Sequence, residues 1–191
     1  MIFQAYHVRR GDSPIAGLFD SLKGRLPDND WRIVHGLECG QVIAVVERLP
    51  QHLQALVRYC YGPYTREELA EDAEWVQLAL YAKLQRDGVR LPGQGKGLPT
   101  AEQLETLRYL CAAALYHHGE VTWPYSRPGL PTPRAVRAWM LDEFGVEVDV
   151  RRWSASGRAC WGGAWEWMLR VLDSWEAEAL APVAELVPQA A

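Results

Sequence analysis

Apolar residues recur at three- and four-residue steps along most of the chain, which is the spacing of a helix with one buried face. Cys39, Val42, Ile43, Val46 and Leu49 form one such stripe. Leu53, Leu56, Val57 and Cys60 form the next, and Leu69, Ala73, Val76, Leu80 and Leu84 a third. Further on come Leu104, Leu107, Cys111, Ala114 and Leu115, then Val136, Trp139, Met140 and Phe144, then Trp161, Trp165, Met168, Leu172 and Trp175. A shorter stripe of Ile15, Leu18 and Leu22 follows Ser13-Pro14, a cap with proline at the first helical position. Strict alternation is confined to two places. One is Met1 to Arg10, an edge strand or extended arm. The other is Val146, Val148 and Val150, where a strand competes with a helix capped by Asp149.

The punctuation between stripes agrees with helices. Asp30 is placed to cap a helix beginning at Trp31, and Pro50 to open the one after it. Gly62-Pro63 closes that helix. Thr65 to Glu68 and Thr100 to Gln103 are capping boxes, in which the hydroxyl and the longer side chain each serve the other residue's backbone N–H. Helix ends are expected near Asp87-Gly88, at Gly119, at Gly145 and, after Leu180, at Pro182. Thr132-Pro133 starts the helix before Gly145. The fold expected is all-α: a compact domain of about seven helices, with a helix-turn-helix-like C-terminal unit and at most a short strand pair. Leu91 to Pro99 reads as a glycine-rich linker between a helical half at 1–90 and another at 100–191, the two forming one compact unit.

Composition places the chain among ordinary globular proteins: 191 residues, 49% hydrophobic and 23% charged, enough to bury a core without staples. The formal charge of −4 gives no overall attraction to polyanions, so nucleic-acid binding would need a local patch. Charge is uneven. Residues 122–170 carry seven arginines against five acids, whereas the tail after Arg170 has four acids and no base. No apolar run approaches the roughly 20 residues that span a bilayer. The N-terminal residues lack the pattern of a secretory signal, and a cytoplasmic location is expected. Cys39, Cys60, Cys111 and Cys160 are widely separated and form no CxxC pair, so reduced thiols in apolar surroundings are expected.

Motifs of catalysis are missing. Gly93 to Gly97 lacks the spacing and the Lys-Ser/Thr ending of a phosphate loop. His117 and His118 point about 100° apart on a helix and, with Glu120, do not make a metal set. There is no Gly-x-Ser-x-Gly elbow and no His-Glu-x-x-His helix. The sequence therefore predicts no enzyme, no cofactor and no metal.

The densest recognition chemistry lies in Thr132 to Trp175, where arginine and tryptophan alternate. Guanidinium groups pair with phosphate or carboxylate, and indole rings supply stacking area. Pro133 to Phe144, the Gly145 corner, and Asp149 to Ser156 have the outline of a helix-turn-helix. Arg134, Arg137, Arg151, Arg152 and Arg158 would anchor phosphates, with Trp153 making a base or protein contact. Trp153 and Trp167 lie off the buried stripes and are the tryptophans expected at the surface.

The phrase TPRAVRAWMLDEFGVEVDVRRW, followed by WGGAWEWMLRVLDSWEAEAL, resembles the closing part of phage late-gene control proteins of the antitermination type. The resemblance covers the last quarter to third of the chain. It implies a protein that binds DNA near a late promoter and modifies RNA polymerase. Where some members carry a zinc-bound cysteine cluster, this chain has single cysteines.

The function expected is a phage- or prophage-type regulator contacting DNA or a transcription complex through this C-terminal unit, with a protein partner met by the acidic N-terminal half or by Trp153 and Trp167. A second reading is a protein-interaction adaptor without nucleic-acid contact, its arginines tied to Asp142, Glu143 and Glu147. A third is an enzyme assembled from His35, His52, His117 and His118 by folding.

Overall fold

A computed structural model describes residues 2–10, 30–94, 97–122, 126–154 and 159–186. Among these the chain forms seven α-helices and one 3-10 turn, with no strand. In order they are α1 (Ile2–Arg10), α2 (Asp30–Val46), α3 (Gln51–Tyr61), α4 (Ala70–Arg86), α5 (Ala101–Val121), α6 (Pro133–Phe144), the 3-10 turn Val150–Arg152, and α7 (Trp161–Ala184). The all-α expectation holds.

The C-terminal helix α7 is the hub: it packs against α2, α3, α4, α5 and the 3-10 turn. Its stripe of Trp161, Trp165, Met168, Leu172 and Trp175 is buried, and Ala179 and Val183 extend it. Fully burying a side chain such as Met168 or Leu172 stabilises the fold by about 1.5–3 kcal/mol. Around this axis, α3 pairs with α4, α4 with α5, and α6 with α5. The apolar faces of both halves join one core cluster that includes Leu53, Leu80, Leu110 and Leu172. The described part of the glycine-rich segment is pinned to that body. Leu91 is buried, its N–H donates to Gln94 Oε1 at 2.9 Å, and Gln103 Nε2 donates to the Pro92 carbonyl at 2.8 Å.

Local signals mostly act where the pattern places them. Thr100 and Gln103 complete their capping box, and Thr132 Oγ1 accepts from Ala135 N–H. Gly145 ends α6 in the left-handed region at φ 68°. The Thr65–Glu68 exchange also forms, but it closes a turn, and α4 begins only at Ala70. Cys160 Sγ caps α7 by accepting from Gly163 N–H.

Several expectations are corrected. The N-terminal segment is helix, not strand or arm: Ile2, Ala5 and Tyr6 share helical spacing and are buried, and α1 packs on α2. Gly119 does not end α5, which runs on to Val121. The bare Cα makes room instead: a Cβ there would stand 2.8 Å from the Tyr59 ring. Pro182 lies inside α7, near enough to its end that the helix still reaches Ala184. Val146 to Val150 is no strand, because no second segment pairs with it among the described residues. Asp149 instead accepts from Arg151 N–H and starts a single 3-10 turn. A second recognition helix from Asp149 to Ser156 therefore does not form. Trp153 and Ser154 have left the helix, and residues 155–158 lie outside the described residues. The Ser13-Pro14 helix also lies outside them.

Close approach fixes the 3-10 turn to α7. Gly162 N–H donates to the Trp153 carbonyl at 2.9 Å, and a Cβ at Gly162 would meet that oxygen at 2.5 Å. Gly163, one residue on, is exposed, with only Cys160 Sγ at 3.5 Å from the same probe position. Gly162→Ala is therefore expected to destabilise the protein by about 1–3 kcal/mol through overpacking. Gly163→Ala should gain about 0.5–1 kcal/mol from backbone entropy alone. Urea midpoints of the two variants, read against the parent, check the opposite signs.

Candidate functional site

The predicted Arg/Trp unit becomes a corner made by α6 and the 3-10 turn, which touch each other. Arg134 and Arg137 are three residues apart on α6, hence on one face, and both are exposed. Arg151 and Arg152 follow on the 3-10 turn and are also exposed. Arg137 pairs with Glu147, tying α6 to the loop after it. Arg152 Nε lies 3.4 Å from Asp149 Oδ2, and its guanidinium rests over Gly93, with Nη1 2.8 Å from where a Cβ would be. Arg134 and Arg151 make no ion pair among the described residues. Arg158 lies outside them.

Acids share the corner. A polar groove of about 390 Å³ beside Arg152 is lined by Glu102, Glu147 and Asp149 as well as Gln103 and Trp161. Asp142 and Glu143 are exposed on α6. The local field is balanced rather than basic. Both tryptophans expected at the surface are half-buried. Trp153 leans on Trp165, with ring centres 5.8 Å apart, and Lys83 lies over the Trp167 ring at 5.8 Å. The exposed aromatic of this region is Phe144, predicted inward, which stacks on Tyr109 with centroids 4.6 Å apart.

The histidines whose side chains are described do not gather into one pocket. His117 Nδ1 accepts from Leu130 N–H at 2.8 Å and holds the 126–131 segment against α5. His52 packs edge-on against Trp175, centroids 4.7 Å apart. The His35 side chain lies outside the described residues. The trio of His117, His118 and Glu120 does not converge, since Glu120 pairs with Arg66 and Arg127.

His118 has other company, which sequence reasoning missed. The side chain is 3% exposed and faces α7. Its Nδ1 lies 3.4 Å from Asp173 Oδ1 and its Nε2 3.0 Å from Glu176 Oε2. The second contact is within hydrogen-bond distance, yet the Nε2 position is not in line with the oxygen. The other Glu176 oxygen accepts from the Tyr61 hydroxyl of α3. The imidazole holds the Glu176 carboxyl below the usual carboxylate range, against the effect of burial, and the Tyr61 hydroxyl adds to the lowering. Burial, and then the Glu176 carboxylate, push the Tyr61 hydroxyl well up, so it remains the donor. One ligand atom from each of His118, Asp173 and Glu176 can be chosen so that all lie within 4.8 Å of one another. The available signal was Asp173-x-x-Glu176, two acids on one helix face within the base-free tail. Nothing in the sequence pointed that face at His118.

Comparison with protein families, with curated proteins and with solved structures gives no match for the chain. No helix among the described residues is long and apolar enough to cross a membrane.

His52 carries a consequence for pH. Burial lowers its proton affinity most, Glu178 opposes that, and Arg86 adds to the lowering. The folded protein thus binds this proton less tightly than the unfolded chain, whose histidine titrates near ~6.5. The associated stability is complete above that value and is lost as pH falls through it toward the lower folded value. His52→Phe keeps an aromatic ring against Trp175 and removes the titration. Its melting temperature should fall less than the parent's between about pH 7.5 and about pH 5.5. Equal falls in differential scanning calorimetry would refute the assignment.

Proposed function

We propose that the protein is a non-enzymatic regulator of phage or prophage type that contacts DNA or a transcription complex through the α6 and 3-10 corner. The observation that carries the reading is the exposure of Arg134, Arg137, Arg151 and Arg152 on two touching elements. Arg134 and Arg151, without ionic partners among the described residues, are available to phosphate directly. The Arg137–Glu147 and Arg152–Asp149 pairs are exposed, and such pairs contribute about 0–1 kcal/mol, little enough for a phosphate to displace the carboxylate. Guanidinium groups then anchor the backbone of a duplex without specifying its sequence. The acidic tail and N-terminal half stay off the duplex and can meet a protein.

A second reading, an adaptor with no nucleic-acid contact, is favoured by those same two ion pairs and by the carboxylates lining the groove at Arg152. In that case the corner recognises a protein surface of mixed charge.

A titration against random-sequence duplex at two salt concentrations separates the readings. The parent protein should bind with an affinity that falls steeply with salt. Arg151→Ala with Arg152→Ala should weaken binding and reduce the salt slope by up to about 2. An unchanged affinity in the double variant rejects the DNA reading of this corner. Absence of binding by the parent leaves the adaptor.

A further inference from the structure

We infer that His118, Asp173 and Glu176 form a binding site for a divalent first-row transition ion, clamping α5 to α7. Three observations converge on it. First, the donor set is chemically right: one imidazole nitrogen and two carboxylate oxygens suit zinc and its neighbours, whereas magnesium and calcium take oxygen alone. Second, the donors are already gathered. Asp173 and Glu176 stand three residues apart on α7 and so share a face, and α5 packs against that helix. One ligand atom from each lies within 4.8 Å of the others, and rotation of the exposed Asp173 side chain, which faces Nδ1, would bring its carboxylate round to share an ion with Nε2 and Glu176 at about 2.0–2.2 Å.

Third, the imidazole has an unmet requirement. His118 is 3% exposed, and its Nε2 lies 3.0 Å from Glu176 Oε2 without the alignment of a hydrogen bond. A buried polar atom left unsatisfied costs about 1–3 kcal/mol, and native proteins rarely tolerate one. A metal on that nitrogen removes the deficit. It also gives Glu176 and Asp173 a common cation, at the start of a tail that has no basic residue.

The surroundings have the layout of a ligand sphere with an outer support. Tyr61, on a third helix, donates its hydroxyl to the Glu176 oxygen that does not face His118, fixing the carboxylate's orientation. Glu176 is 19% exposed and Asp173 70% exposed, so the site is closed toward the core and open to water at Asp173. Three protein ligands with an open side leave a position for water, as in metal sites that are not fully enclosed. The site stands apart from the arginine corner: its residues come from α5, α7 and α3, and it does not depend on how that corner functions.

The test is calorimetric titration of the full-length, chelator-stripped protein with zinc chloride, alongside visible spectroscopy of the cobalt(II) form. One zinc per chain should bind. Asp173→Asn, at an exposed position that leaves the fold intact, should weaken binding at least about tenfold and alter the cobalt bands. His118→Gln and Glu176→Gln should abolish binding, with circular dichroism establishing that each variant is folded. Asp142→Asn, an exposed carboxylate on α6, should bind as the parent does. Failure of the parent to bind zinc at millimolar concentration overturns the proposal. So does zinc binding that survives Asp173→Asn unchanged, since the ion would then be held elsewhere.

Discussion

The structure depends on the burial of one face of α7. Trp161, Trp165, Met168, Leu172 and Trp175 run along that face, and the helix touches four other helices and the 3-10 turn. Large aromatic side chains bring more apolar area per residue than any others. They let a single long helix serve as the core's axis. The close approach at Gly162 belongs to the same constraint. It places the Trp153 carbonyl on the start of α7 and so sets where the arginine-bearing turn stands relative to the core.

Polar chemistry is distributed around this axis by what each helix face can tolerate. The α6 corner is solvent-exposed, so its guanidinium groups and carboxylates coexist as weakly paired ions that can exchange partners. The contact between α5 and α7 is buried, and there the same kinds of group become demanding. His118 sits against two carboxylates with one nitrogen unsatisfied, and Tyr61 is committed as a donor to Glu176. Low polarity around such groups raises both the gain from a correct partner and the penalty for lacking one. The exposed ions can therefore exchange partners, whereas the buried imidazole is confined to the two carboxylates beside it.

Much of the architecture was legible before folding was considered. The stripes on α3, α4, α5 and α7, the Thr100 box, the Thr132-Pro133 start and the Gly145 stop are local patterns, and each acts through neighbours within a few residues. The misreadings share a cause. Gly119 carried the signal of a terminator, but its meaning came from the Tyr59 ring on another helix. Phe144 continued an apolar stripe, yet it ended on the surface, stacked on Tyr109. The valine alternation had no strand to pair with among the described residues, and Asp149 captured the backbone as a turn. The arginines were visible as a cluster. Their pairing with Glu147 and Asp149 was not, because the choice of partner depends on how the turn folds back on α6.

By itself, the sequence determined that this chain folds as helices, where most of them start and stop, and which face of each is apolar. Those properties follow from backbone hydrogen bonding and from periodicity, which act over one or two turns. Tertiary structure alone decided which polar side chains meet. His118 lies on α5 while Asp173 and Glu176 lie on α7, and only the packing of those two helices turns the histidine toward both carboxylates. Periodicity gives the direction of a side chain about its own helix axis, whereas coordination and charge pairing depend on the distance between axes, and side-chain packing sets that distance.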